Sequence, residues 1–202
     1  MKFDHVFEFK ITLRGIKPPV WRRIQVPCTY SFWDLHVAIQ DAMGWLDYHL
    51  HQFEMSVPLS NSKLCVGIPM DEDEPAPGLP DVMPGWHLPI AACFTLASRT
   101  AKYEYDFGDG WEHTVALERI FPRPKATKYP RCVAGRRACP PEDCGGPWGY
   151  QNLLEALRDP QHEEHTQSLK WLGRAFSSEQ FDISLVRFDD PQERWNRAFA
   201  RR

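Results

Sequence analysis

The stretch "YDFGDGWEH", Tyr105–His113, sets Asp106, Asp109, Glu112 and His113 around a glycine turn, and "HLHQF" sets His49 and His51 two residues apart. Two imidazoles and a carboxylate suit a hydrolytic metal centre, with zinc the candidate ion. His49 and His51 fall on one face of a strand by period-two alternation. The same alternation groups them with Phe53 and Met55, which is the pattern of a core-facing side. A structural reading therefore stands beside the chemical one: Asp109 serves the turn, and His113 is a half-buried residue with its ring satisfied.

A second constellation lies in "CVAGRRACPPEDCGG", where Cys132, Cys139 and Cys144 follow C-x6-C-x4-C spacing. This is not the C-x2-C knuckle of common zinc sites, yet three thiols in so short a span can converge on one ion. A fourth ligand would come from afar, with His113, His49 and His51 as candidates. Two other readings stay open: small buried hydrophobes that hold an irregular loop, or a Cys132–Cys139 disulfide in an oxidising setting. Cys28, Cys65 and Cys93 are isolated and read as core filler. The same region is basic, carrying Arg119, Arg123, Lys125, Lys128, Arg131, Arg136 and Arg137 with no acidic residue among them. Such a loop neutralises nucleic-acid phosphates, or it balances the acidic run Asp71–Glu74.

These side chains need a scaffold. In "HVFEFKITL", Phe7, Phe9, Ile11 and Leu13 alternate with Glu8 and Lys10, a half-buried strand; "VWRRIQV" resumes it after "GIKPP", giving a hairpin. "SFWDLHVAIQDAMGW" is a helix, with Ser31 and Asp34 as a capping box and Gly44 as its left-handed stop. Leu35, Ala38, Ile39, Ala42 and Met43 share its inner face, while His36 and Gln40 on the flank are expected to face water. "HLHQFEM" then returns as a strand. Hairpin, packed helix and return strand make a β-grasp-like α+β unit. A second hairpin, "KYEYDF" with "WEHTVALERI", and helices at "YQNLLEALRDP" and "QHEEHTQSLKWLG" extend it. The tail "RWNRAFARR" is expected to fray.

Two registers compete in the second hairpin. An Asp109-Gly110 loop sets Asp106 opposite His113. A three-residue loop, Gly108 to Gly110, pairs Phe107 with Trp111, Tyr105 with His113 and Tyr103 with Val115, and the hydrophobic pattern prefers it. That register sets Asp106 opposite Glu112. Facing carboxylates call for a cation, and the arginine run from Arg119 is the nearest source. The polar face of the hairpin is then expected to border a cleft shared with the cysteine loop.

The chain has 202 residues, 43% of them hydrophobic, and a formal net charge of -3, enough for one sizeable core and too balanced for a wholly basic nucleic-acid binder. The 18 prolines imply many fixed turns. No signal peptide or membrane-spanning run is visible, so a cytoplasmic location is expected. Nucleophile elbow, phosphate-binding glycine loop and dinucleotide fingerprint are all missing from the sequence, which lowers the enzyme reading.

Taken together, "GIKPPVWRRIQVP", "FWDLHVAIQDAMGW", "HLHQF", "YDFGDGWEH" and "CVAGRRACPPEDCGGPWGY" resemble the plasmid pRiA4b ORF-3-like family, in order from about Phe7 to Trp171. The resemblance implies one α+β domain over residues 1–202, with an acidic flexible loop at 69–85 and a basic cysteine-containing loop at 119–149. It implies an accessory role in a mobile-element setting, with no catalytic mechanism to carry over. It marks His49, His51, Asp106, Asp109, His113, Cys132 and Cys139. The leading expectation is a non-enzymatic protein that engages nucleic acid or a protein partner through the basic loop and exposed aromatics. The alternatives are a metal-dependent hydrolase or nuclease using the His/Asp cluster, and a zinc-clamped structural domain.

Overall fold

The computed structural model describes residues 3–56, 62–69 and 81–199. Its strands are β1 (His5–Leu13), β2 (Trp21–Pro27), β3 (His51–Ser56), β4 (Lys63–Gly67), β5 (Val82–Pro84), β6 (Thr100–Tyr105), β7 (Trp111–Pro122) and β8 (Arg131–Arg136). The helices are α1 (Phe32–Met43), the short α2 (Ile90–Cys93), α3 (Gly146–Arg158), α4 (His165–Leu172) and α5 (Pro191–Phe199). All strands join one sheet in the order β5-β4-β3-β6-β7-β1-β2-β8, antiparallel except for the β4–β5 pair.

The alternation in β1 is what it looks like. Phe7, Phe9, Ile11 and Leu13 are buried, and they meet Ile24, Val26, Phe53, Tyr103, Val115 and Leu117 on the same face. Helix α1 covers that face with Leu35, Ala38, Ile39, Ala42 and Met43. Its start is a capping box: Ser31 Oγ accepts from Asp34 N at 3.2 Å, and Asp34 Oδ2 accepts from Ser31 N at 2.8 Å. Its stop is Gly44 at φ 88°, whose amide bonds back to the Gln40 carbonyl. The opposite sheet face carries a ladder of ion pairs. Arg23 meets Glu118 at 2.6 Å, Arg119 meets buried Glu8 at 2.9 Å, and Lys63 meets Glu54 at 2.9 Å. One apolar face under helices and one solvated face is the two-layer α+β arrangement.

Five expectations need correction. The β-grasp-like closure does not appear in the strand order, because β6 and β7 lie between β1 and the return strand β3. The hydrophobic pattern marks strands but carries no information on which neighbour each one takes. His36 and Gln40 are fully buried rather than exposed. His36 Nδ1 and the Gln40 amide nitrogen both reach the Tyr103 hydroxyl at 2.8 Å, while Gln40 Oε1 has no partner among the described residues. The basic "loop" at 119–149 is loop only at 123–130 and 137–145: Arg119 lies in β7, Arg131 and Arg136 lie in β8, and α3 begins at Gly146. The tail does not fray before Phe199. Helix α5 packs Trp195 on Trp33 and Trp86 with centroids 5.3 and 4.5 Å apart, and Arg194 binds Asp41 at 2.6 Å. The acidic run Asp71–Glu74 lies outside the described residues, and the segment expected to be loop up to residue 85 includes β5.

Leu35 and Ile39 are sealed against the β-sheet, so each truncation to alanine leaves a cavity as well as lost burial. Leu35→Ala or Ile39→Ala is expected to cost about 2–5 kcal/mol in urea unfolding. Midpoints equal to wild type would contradict this packing.

Candidate functional site

The strand ends at one edge of the core are extended by three loops, and their sequences decide what each presents. Residues 44–50 connect α1 to β3. Trp45 anchors this loop: its ring is stacked on Tyr105 with centroids 5.2 Å apart, and its indole N–H donates to the Pro140 carbonyl at 2.9 Å. Asp47 takes a left-handed backbone, φ 64°, and its carboxylate lies 2.8 Å from buried His36 Nε2 and 3.5 Å from Arg194 of α5. His49 follows two residues later, outside β3.

The β6–β7 hairpin supplies the second loop. Its observed register pairs Tyr105 with Trp111, Glu104 with Glu112 and Tyr103 with His113, so neither expected register holds. The connection runs from Asp106 to Gly110. Asp106 ends the ladder because it turns left-handed, φ 55°, and its Oδ1 accepts from the amides of Gly108 and Asp109 at 3.0 and 3.3 Å. A short side chain that bonds its own turn is what lets aspartate hold this conformation. The facing carboxylates are Glu104 and Glu112, not Asp106 and Glu112. Their cation is Lys102, 3.0 Å from Glu104 and 2.6 Å from Glu112, with Arg14 at 3.4 Å, rather than the run from Arg119. Lys102 holds the Glu112 carboxyl below its usual range.

The third loop, residues 137–145, folds back onto the other two. Glu142 accepts from the Tyr105 hydroxyl at 2.6 Å and from Leu46 N at 2.8 Å, and Asp109 Oδ2 accepts from Gly145 N at 3.1 Å. The glycines of "GGPWGY" permit this approach: a Cβ on Gly146, which sits at φ 68°, would collide with the Asp109 carbonyl. The expected border between hairpin and cysteine loop is thus built, through Asp109.

Three side chains converge where the loops meet. His49 Nε2 lies 2.9 Å from Asp143 Oδ1 and 3.5 Å from Asp106 Oδ2. The ligand atoms of His49, Asp106 and Asp143 all lie within 4.8 Å of one another, the one such group of three among the described residues. Asp106 is mostly buried, His49 half-buried and Asp143 exposed, so the cluster opens outward. Because Oδ1 of Asp106 is held by the turn, Oδ2 is the atom aimed at His49. One nitrogen and two oxygens of this kind fit zinc or manganese.

The other expected site residues are placed elsewhere. His51 points into the core, its ring stacked 3.4 Å above that of His36 at 10°. His113 is fully buried beside Trp45 and Tyr103, with both ring nitrogens unpartnered among the described residues. Glu112 stays on the solvated face with Lys102. Cys132, Cys139 and Cys144 are free thiols, and no ligand group of three among the described residues includes a cysteine. Burial pushes all three thiols up, Cys144 to about 12. Sequence reasoning missed Asp143 and Glu142; the signal was the acidic pair in "PPEDC", isolated within an otherwise basic stretch.

Comparison with known proteins agrees with the motifs. The model of the family described as plasmid pRiA4b ORF-3-like protein matches residues 5–185. An uncharacterized protein, y4hQ of Sinorhizobium fredii (strain NBRC 101917 / NGR234), is 38% identical over 98% of this chain and 97% of its own length. The crystal structure of a protein of unknown function from Methanosarcina mazei Go1 superposes with a TM-score of 0.84 at 44% identity, covering 93% of this chain and all of that one. The chain belongs to the plasmid pRiA4b ORF-3-like family. No helix among the described residues is long and apolar enough to cross a membrane.

The two core histidines set an acid limit on the fold. Burial pulls the His113 pKa down to about 4 and holds His51 well below the ordinary 6.5, with the His36 ring adding to the latter. The unfolded chain therefore binds more protons below about pH 6.5, so stability is full above that value and falls as pH drops toward about 4. His113 contributes a slope approaching about 1.4 kcal/mol per pH unit in that window, and His51 acts in the same direction. His113→Leu is expected to flatten the loss between pH 6.5 and 4.5 in urea unfolding. An unchanged slope would show that His113 is not held neutral.

Proposed function

We propose that this member of the pRiA4b ORF-3-like family is a cytoplasmic binding module that works through the loop face around His49, Asp106 and Asp143, with a divalent cation at its centre. The observation that carries the reading is the company these three residues keep. Leu46, Tyr48 and Leu50 share the His49 loop, Phe107 follows Asp106, and Trp148 follows the Gly145 that binds Asp109; all five are exposed, Tyr48 to 74% and Trp148 to 80%. Large apolar side chains gathered around a polar centre are the composition of a protein-interaction face. An accessory role in a plasmid setting rests on the family's name alone.

A protein partner is favoured over nucleic acid by the state of the cationic run. Arg119 is bound bidentately by Glu8, Arg137 by Glu179, and Arg123 lies over the Phe3 ring at 4.1 Å. Lys125, Lys128, Arg131 and Arg136 have no ion pair among the described residues, too few to make a phosphate-tracking groove. Metal-dependent hydrolysis is the second reading. Three protein ligands on an exposed rim leave positions for water and a substrate. Glu142, one residue from Asp143, has both oxygens engaged by Tyr105 and Leu46, which disfavours it as the general base of such a reaction.

Calorimetric titration of the tag-free protein with zinc and with manganese at pH 7.5 tests the cation centre. One ion per chain is expected for at least one metal, with affinity reduced at least tenfold by Asp143→Asn or His49→Ala and thermal stability retained. Absence of binding, or binding unaffected by both changes, would remove it. Binding that instead follows Cys139→Ser would restore the cysteine clamp.

A further inference from the structure

Beside the cation cluster lies a recess of about 320 Å³ between α3, α4 and the cysteine loop, with Asp143 in its wall. We infer that this recess receives a basic side chain, a lysine or arginine presented by a protein partner. The inference deepens the binding-module reading by naming the partner's chemistry, and it rests on that reading for the face that the partner approaches.

The lining decides the class of ligand. It holds two carboxylates, Asp143 and Glu164, three neutral hydrogen-bonding side chains, Asn152, Gln167 and Ser168, and the indole of Trp171; it holds no lysine, arginine or histidine. The side chains of Glu164, Asn152, Gln167 and Ser168 make no hydrogen bond or ion pair with another side chain or with the backbone among the described residues. They are free for a guest. Among the described residues Asp143 has His49 as its one side-chain partner. Trp171 lines the recess and is half-exposed on α4, a helix with no buried residue. A half-exposed indole beside carboxylates is the setting for an ammonium or guanidinium group, which gains from the ring quadrupole and from the negative charge together.

The charges of the wall point the same way: it holds two carboxylates and no cationic side chain. A phosphate or carboxylate guest would meet repulsion from both carboxylates. The volume exceeds one side chain, so a short segment of backbone enters as well, and the amides of Asn152 and Gln167 are placed to bond it.

The test uses the full chain, labelled with 15N, and blocked tripeptides Gly-Lys-Gly, Gly-Arg-Gly, Gly-norleucine-Gly and Gly-Glu-Gly. The lysine or arginine peptide is expected to shift the Trp171 indole and the α3–α4 amides, binding at least tenfold tighter than the norleucine and glutamate peptides. Glu164→Gln and Trp171→Leu, both at exposed positions, are each expected to weaken that binding at least fivefold. Equal binding of the norleucine peptide, shifts that survive both substitutions, or no shifts from either basic peptide would overturn the inference. Shifts from a neutral sugar alone would assign the recess to another guest and overturn it equally. The zinc arm separates the two readings. Peptide binding that persists in His49→Ala, where zinc binding is lost, is the expected result, whereas zinc binding without peptide binding removes this inference and leaves the cation centre standing.

Discussion

One carboxylate ties the functional face together. Glu142 accepts a 2.6 Å hydrogen bond from the Tyr105 hydroxyl at the end of β6 and a 2.8 Å bond from Leu46 N in the α1–β3 loop. The same hydroxyl accepts from Tyr48 N at 3.0 Å. Three segments far apart in sequence are thereby fixed to one aromatic ring of the sheet. Bonds to a charged acceptor are among the stronger ones in a protein, and this one sits where burial strengthens it further. With the Trp45–Pro140 and Asp109–Gly145 bonds, it holds the loop that carries Asp143 beside His49.

The acidic residues around this staple share a backbone habit. Asp47, Asp106 and Asp143 have φ of 64°, 55° and 57°. Aspartate tolerates this region better than most residues, yet each instance costs on the order of 1 kcal/mol and persists only where its surroundings enforce it. Here the enforcement is visible. Asp106 is bonded to its own turn, Asp47 is held between His36 and Arg194, and the Asp143 loop is clamped by Glu142 and Gly145. Helix α5, which lies beyond the span of the family match, reaches the site through that Arg194–Asp47 contact and through Trp195 on Trp33. The core below takes part as well: the stacked His36 and His51 rings lie directly under the loop that carries His49.

What the sequence made legible was local. Ser31, Asp34 and Gly44 bracket α1 because capping geometry depends on a few neighbouring residues, and the alternation of β1 and β7 identifies the buried face. Strand order was not legible, since β6 and β7 enter between β1 and β3 through contacts that no local pattern encodes. The hairpin register differs for a related reason: the aromatic pattern favours a three-residue loop from Gly108 to Gly110, but the left-handed turn at Asp106 closes the ladder earlier. His36 and Gln40 looked like solvent residues because polarity on a helix flank says nothing of a Tyr103 hydroxyl waiting beneath. At the site, Asp106 and Asp109 are legible from their spacing around glycine and His49 from its period-two pairing with His51, whereas Asp143 sits in a stretch dominated by cysteines and arginines. Only the fold of residues 137–145 across Tyr105 brings it into the cluster.

The central claim is that three loops, stapled by Glu142, place His49, Asp106 and Asp143 to hold one divalent cation. Anomalous diffraction from crystals grown with zinc measures this most directly. The account predicts one strong peak per chain within about 2.3 Å of His49 Nε2, with an Asp106 and an Asp143 carboxylate oxygen completing the protein ligands. No peak there, or a peak among Cys132, Cys139 and Cys144 instead, would contradict it.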